Sequence, residues 1–592
     1  MKQAREAIDL ILKRFLIWRA QNLDTSTFIL LVAVVTGLIS GLVAVVLKNA
    51  AHAVRELVVA QRLSDIYQVG YFLFPLIGIS IVMVLRHNLK WRMKEGIPMA
   101  LGAIAKDGGI IPRSAMYTSF VGSAFTVGFG GSVGLEGPTV GTGAAIGSNL
   151  ARWLRLGFKQ RILLISCATA GALGSIFGTP IAALVFTLEV FSLDLTLGAL
   201  VPLLLASATG SLTGLLLSDG TTLFTVSGIG KFEPQFIPQY LGLGLATALF
   251  SVYVKRTHLW SMSLLENVRR PWFRAVSGGL LLGGAIFLIP PLYGEGFSSI
   301  TAALQGDLAA LLDQSFIPWR NQSAWVIIAL LLGLALMKSL AAGLTIHAGG
   351  VGGMFAPTLF MGAILGLAYV LLLEQFGMDV PSVHFVLVAM AGLMAGVMHA
   401  PLTAMFMITE ISGGYPLILP LMLVSALSFF VSRSLSPHSI YTAPLAALGG
   451  LWTSDRDKAV LSLIQWDDVL ERGIEDVEPL LGFDEAVQRL MAEQKNMLAV
   501  VEDGRLLGTL TWDDVRRAQR LNQPPLIARD AMSGISYQVD LNSSMEDAVK
   551  RVERMDQWYV PVIDKGQWVG FLSKAKLFEV YRRRLREVSQ EA

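Results

Sequence analysis

The sequence predicts an all-α polytopic membrane protein followed by a water-soluble α/β module. Three observations predict it. First, the 592 residues are 53% hydrophobic and only 15% charged, whereas soluble domains carry about 25% charged residues; the mean hydropathy is +0.58. Second, the charge is unevenly placed: of 91 Lys, Arg, Asp and Glu side chains, 45 fall in residues 451–592. Third, uncharged runs long enough to cross a bilayer, which takes about 20 residues, follow one another up to residue 450.

The N-terminal stretch 1–24 carries Lys2, Arg5, Lys13, Arg14 and Arg19. It is expected to be a cytoplasmic helix, because basic flanks stay on that side. The first apolar run, Phe28–Leu47, has no small-residue cleavage pattern after it and reads as a retained helix rather than a signal peptide. Further runs include Ile66–Leu85, Ser114–Leu135, Ile162–Leu188, Leu195–Ser218, Pro234–Val254, Ala275–Gly294, Asn321–Met337, Ser339–Leu373, Val380–Thr409 and Ile411–Ser432. The longest are cut by Gly and Pro. Broken helices free backbone N–H and C=O groups that lipid cannot satisfy, so they belong where they line a buried or watery path. That favours a transporter or channel over a membrane anchor.

Several classes drop out. One cysteine, Cys167, forms no internal disulfide or cysteine metal site. A net charge of +3 is too mild to argue for nucleic acid. The sequence offers no nucleophile–base constellation or metal-ligand cluster, so an enzyme is not expected.

The membrane part is duplicated. Gly134-Leu135-Glu136-Gly137-Pro138-Thr139 aligns with Gly353-Met354-Phe355-Ala356-Pro357-Thr358; Ala170-Gly171, Pro180, Ala183 and Glu189 align with Ala391-Gly392, Pro401, Ala404 and Glu410. We read membrane repeat 1 over 25–232 and repeat 2 over 233–450. Interrupted hydrophobic segments at matching positions of two halves point to a midplane ion site. Beyond a linker at 451–464, residues 484–515 align on 546–577. This gives paired α/β copies over 465–522 and 523–592, the second ending in a C-terminal helix.

A helix N-terminus presents unpaired N–H groups and partial positive charge, and so attracts anions. Gly131–Pro138 stands before a helical run, and Glu136 is the only Asp, Glu, Lys, Arg or His between Arg113 and Arg152. A lone intramembrane carboxylate marks a functional position; the bland alternative is a cap of its own helix.

These motifs, in order and in duplicate, resemble the CLC family of chloride channels and chloride/proton antiporters, with a tandem CBS-domain tail. The family's G-[RK]-E-G-P is similar to Gly134–Pro138, its G-x-F-x-P to Gly353–Pro357, and its G-S-G-I-P in part to Lys94-Glu95-Gly96-Ile97-Pro98. The resemblance implies a CLC-type inverted repeat of many tilted, broken helices plus a cytosolic CBS pair. It implies a homodimer in the lipid bilayer, with chloride ions in a pore in each subunit. Glu136 would be the gate: its carboxylate competes with chloride for the same N–H groups and swings aside when protonated or displaced. Glu95, Gly96, Ile97, Met354, Phe355 and the Tyr441 hydroxyl would bind the anion; for Tyr441 the alternative is an interfacial tyrosine.

Two departures matter. Related antiporters often keep an internal proton-accepting glutamate one residue after Glu189; here Val190 stands there. That resembles the channel branch, and passive, voltage-gated chloride flow is the expected function, with a chloride/proton antiporter of altered proton path as the alternative. Glu189 itself reads as structural. Glu95 replaces the usual anion-coordinating serine: it is protonated by burial, turned away toward Lys94, or a second proton site. His347 reads as a packing residue, and Arg152, Arg155, Lys159 and Arg161 as a cytoplasmic loop. In the tail, Thr511, Asp514 and Ser573 match positions where CBS pairs hold an adenine nucleotide, although Lys576 replaces the second acidic residue; the alternatives are a structural dimerising module and, for the whole chain, a membrane-anchored nucleotide sensor.

Overall fold

The computed structural model describes residues 14, 17–19, 21–60, 67–89, 91, 96–106, 108–191, 196–217, 226, 230, 232–268, 270–313, 319–320, 322–447, 461, 464–493, 495–520, 525–535, 537–553 and 558–589. The chain divides into two compact units, Met1–Leu451 and Trp452–Ala592.

In the first unit, repeat 1 supplies α1 Thr25–Ala60, α2 Tyr67–Asn88, α3 Gly96–Lys106, α4 Ala115–Gly128, α5 Glu136–Trp153, α6 Phe158–Phe177, α7 Pro180–Val190 and α8 Leu197–Leu217. Repeat 2 supplies α9 Ile237–Glu266, α10 Pro271–Leu288, α11 Phe297–Gln305, α12 Leu308–Leu312, α13 Ala324–His347, α14 Phe355–Gln375, α15 Ser382–Met398, α16 Pro401–Ile411, α17 Ile418–Leu435 and α18 Ala443–Ala447. Eight helical segments among the described residues are long and apolar enough to cross a membrane, and shorter ones lie between them.

The long apolar runs break where their sequences demand it. Ile162–Leu188 becomes α6 and α7, divided at Gly178, whose φ of 70° is the left-handed conformation glycine supplies cheaply. Val380–Thr409 becomes α15 and α16, divided at His399 with φ 57°. Each second helix then opens on a proline, Pro180 or Pro401, which has no N–H to orphan. The two short helices cap one another. Glu189 accepts from the N–H groups of Leu402 and Thr403 at 2.9 and 2.8 Å. Glu410 accepts from those of Ile181 and Ala182 at 2.9 and 2.8 Å.

Without a hydrophobic drive between helices in lipid, small residues set their approach. A Cβ on Gly210 would lie 2.2 Å from Gly171 O, and one on Gly171 2.8 Å from Gly37 Cα, so α1, α6 and α8 meet backbone to backbone. The opposite face of α1 shows Leu31, Val35, Leu38, Leu42 and Val46 at its surface, a stripe suited to lipid.

The second unit holds α19 Trp466–Val469, β1 Leu470–Glu471, β2 Asp476–Val477, α20 Phe483–Ala492, β3 Met497–Glu502, β4 Arg505–Thr511 and α21 Trp512–Ala518. It continues with α22 Ala528–Ala531, β5 Ser533–Gly534, β6 Val539–Asp540, α23 Met545–Glu553, β7 Tyr559–Asp564, β8 Gln567–Ser573 and α24 Lys574–Ser589. Two four-stranded sheets have the orders β1-β8-β7-β6 and β2-β3-β4-β5. The copies exchange edge strands: β1, from before the first copy's own sheet, pairs antiparallel with β8 of the second, and β5, beyond residue 522, pairs with β4.

Candidate anion site

The two signature loops pair directly. Gly134 N–H donates to Gly353 O at 2.9 Å, and Gly353 N–H donates to Gly134 O at 2.8 Å, closing one antiparallel bridge between the repeats. From that bridge α5 starts at Glu136 and α14 at Phe355, so the free N–H groups of two helix starts come together. A third start joins them: a Cβ on Gly96, the first residue of α3, would lie 1.7 Å from Gly137 O, and one on Gly137 would lie 3.0 Å from Gly353 Cα. Only glycine permits this approach.

The Glu136 side chain is 2% exposed. Its carboxylate sits between the signature loops: a Cβ on Gly353 would lie 3.5 Å from its Oε2, and the Ala356 N–H of α14 is directed at it. Among the described residues Oε2 is buried with no hydrogen-bond partner. Tyr441, 6% exposed, lies within electrostatic reach of this carboxylate, and its Oη is likewise buried without a partner among the described residues. Ile97, Met354 and Phe355 are buried alongside, with Phe355 against Phe177 at 4.8 Å between centroids. The structure thus brings together Glu136, Gly96, Ile97, Met354, Phe355 and Tyr441. Glu95 and Lys94 lie outside the described residues.

Sequence reasoning missed two ionisable groups here. Glu295, in the turn before α11, accepts from the Leu135 N–H at 3.2 Å and interacts electrostatically with Glu136. Lys338, inside α13 and fully buried, donates to Leu292 O at 3.2 Å and Gly294 O at 2.7 Å, with its Nζ 4.9 Å from the centre of the Phe360 ring. Lys338 therefore pins the turn that presents Glu295 to the start of α5. Its signal was in plain view: it is the single charge separating the runs Asn321–Met337 and Ser339–Leu373. Glu295 carried no such signal, because it lies in a turn.

Elsewhere, Val190 closes α7 and is half-buried. His347 packs against His258, rings 4.6 Å apart, as a packing residue; its Nε2 has no hydrogen-bond partner among the described residues. Of the four basic residues read as a loop only Arg155 lies in the connection: Arg152 is in the last turn of α5, and Lys159 and Arg161 open α6, where Arg161 donates to Gly108 O at 2.8 Å. In the second unit the Asp514 carboxylate is engaged by its own chain. It accepts from Thr511 N and Oγ1 at 2.9 and 2.7 Å in a capping box and pairs with Arg517 and Ser533. Ser573 Oγ accepts from Lys576 N–H at 3.4 Å, capping α24.

Residues 81–433 match the family defined as voltage gated chloride channel. The chain belongs to that family, the CLC family. Residues 480–521 match the CBS domain. A ClcB-like protein of Ralstonia nicotianae is 29% identical over 62% of this chain and 83% of its own length. The H(+)/Cl(-) exchange transporter ClcA of Salmonella arizonae is 25% identical over 75% of this chain and 93% of its own. A solved eukaryotic CLC transporter has a TM-score of 0.59 at 17% identity, covering 93% of this chain and 97% of that one. This CLC chain is a multi-pass membrane protein of anion transport rather than an enzyme.

Proposed function

We propose that the chain is a passive chloride pathway gated by Glu136. One observation carries the reading: two buried polar atoms have no hydrogen-bond partner among the described residues, Glu136 Oε2 between the signature loops and Tyr441 Oη within electrostatic reach of that carboxylate. A carboxylate and a chloride ion carry the same charge and seek the same N–H groups. Ionised, Glu136 occupies the anion's place; protonated or displaced, it vacates it. Val190, where related antiporters keep a proton-accepting glutamate, supports passive flow. The pathway operates in a homodimer with cytoplasmic termini. The CBS pair serves as a structural module, since Asp514 is committed to its own cap.

The test is anion flux from liposomes. A single-proton gate changes its open fraction about tenfold per pH unit on the closed side of its titration. Glu136→Gln is expected to keep flux and lose most of that pH dependence. A variant with the wild-type profile removes Glu136 from the role. The second reading, chloride/proton antiport, is favoured by Glu295, a second carboxylate beside the gate that could hand it a proton.

A further inference from the structure

Two carboxylates, not one, stand at the convergent helix starts. Glu295 Oε1 accepts from the Leu135 N–H at 3.2 Å, one residue ahead of Glu136. The half-buried turn that carries Glu295 is stitched to the loop that carries Glu136. Ser132 Oγ donates to Leu292 O at 2.7 Å, and Gly294 N–H donates to Gly130 O at 3.1 Å. The Tyr293 ring fills the space where a Cβ on Gly130 would stand. On its other side the turn accepts both Lys338 bonds, at Leu292 O and Gly294 O, and Gly296 lies against the Phe360 ring. Glu295 is therefore held at a fixed place from which it acts directly on Glu136.

The charges around the two carboxylates are unequal. Arg55 and Lys48 of α1 and Lys338 of α13 act on Glu295, and His52 and Glu56 stand beside the two α1 cations. Among the described residues none of these cations closes an ion pair with Glu295, so its charge is supported without being cancelled. No cation among the described residues acts on Glu136. The groups that do are Glu295, its own N–H, the Ala356 N–H and, from the segment after α17, Tyr441. The two N–H groups favour the Glu136 charge; Glu295 opposes it. Two carboxylates that act on one another do not readily ionise together, and their surroundings decide which keeps the proton. The cations favour charge on Glu295. The proton falls to Glu136.

We propose that Glu295 is a positioning residue for the gate, whose fixed negative charge opposes ionised Glu136 in the anion's place and so sets the pH at which chloride passes. This rests on the reading of Glu136 as the gate. Without the charge at position 295, Glu136 stays ionised to lower pH, and the pathway stays shut until more acid is present.

The experiment measures chloride efflux from liposomes holding the full chain, across about pH 4 to pH 9. Glu295→Gln keeps an acceptor oxygen for the Leu135 N–H and removes the charge. It is expected to move the midpoint of acid activation by about one pH unit toward acid, read as about tenfold lower efflux at a fixed pH above both midpoints. Glu295→Ser removes the same charge without the amide and is expected to shift the same way. Glu295→Asp keeps the charge and is expected to stay near the parent profile. An unmoved midpoint in a folded neutral variant, with only a lower melting temperature in detergent, makes Glu295 a mere cap of the loop and overturns the assignment. A shift toward alkali, or an equal shift by Glu295→Asp, overturns it too. A wild-type pH profile in Glu136→Gln instead overturns the reading of the gate.

Discussion

At the scale of single residues, three glycines decide whether the proposed anion site can form. Gly96, Gly137 and Gly353 let three helix starts touch through backbone alone, and the tightest approach is Gly96 on Gly137 O. That oxygen belongs to the first turn of α5, so it cannot retreat without dragging Glu136. Gly96→Ala is therefore expected to cost about 1–3 kcal/mol, the range for overpacking a filled core. Lower thermal stability in detergent with loss of chloride flux is the expected pair of readings; an unchanged melting temperature would mean that the helix starts have slack. These glycines were legible as motifs in the sequence. Lys338 and Glu295 were not read, because a buried lysine looks like a gap between two apolar runs. Its partners, the carbonyls of Leu292 and Gly294, carry no sequence signature at all. Tyr441 was legible by resemblance, and only the fold places it beside Glu136.

At the scale of elements, the short helices α7 and α16 are held as a reciprocal pair. Each ends in a glutamate that satisfies the orphan N–H groups opening the other. This answers why Glu189 and Glu410 match in the repeat: one carboxylate does for its neighbour what the neighbour's does in return. Removing one leaves two donors without an acceptor, at about 1–3 kcal/mol for a buried group and less for the exposed Ile181 N–H. Glu410→Ala is expected to lower thermal stability, and Glu410→Gln to lower it less because one acceptor oxygen survives. Equal losses would show that charge rather than capping holds the pair. The sequence displayed the glutamates and the prolines that open each helix. It did not display that they cross over, since capping between segments more than 200 residues apart is a tertiary fact.

At the scale of the whole molecule, duplication governs both units, and it was the most legible feature. The repeats at offsets near 220 predicted two halves meeting at a midplane ion site; the two halves do pair, at the bridge between Gly134 and Gly353. In the tail the same reasoning found both copies but not their exchanged edge strands, because two-residue strands such as β1 and β5 leave no periodicity to read. The proposed passive flow is tested at this scale. Val190 removes the acceptor that related antiporters keep, while Glu189 is tied to the N–H groups and hydroxyl of α16. A chloride gradient imposed across liposomes is accordingly expected to drive chloride without moving protons uphill, as read by a trapped pH dye under a clamped voltage. Sustained uphill proton movement that stops with Glu136→Gln would instead place the chain among the exchangers, with Glu295 as the first residue to substitute next.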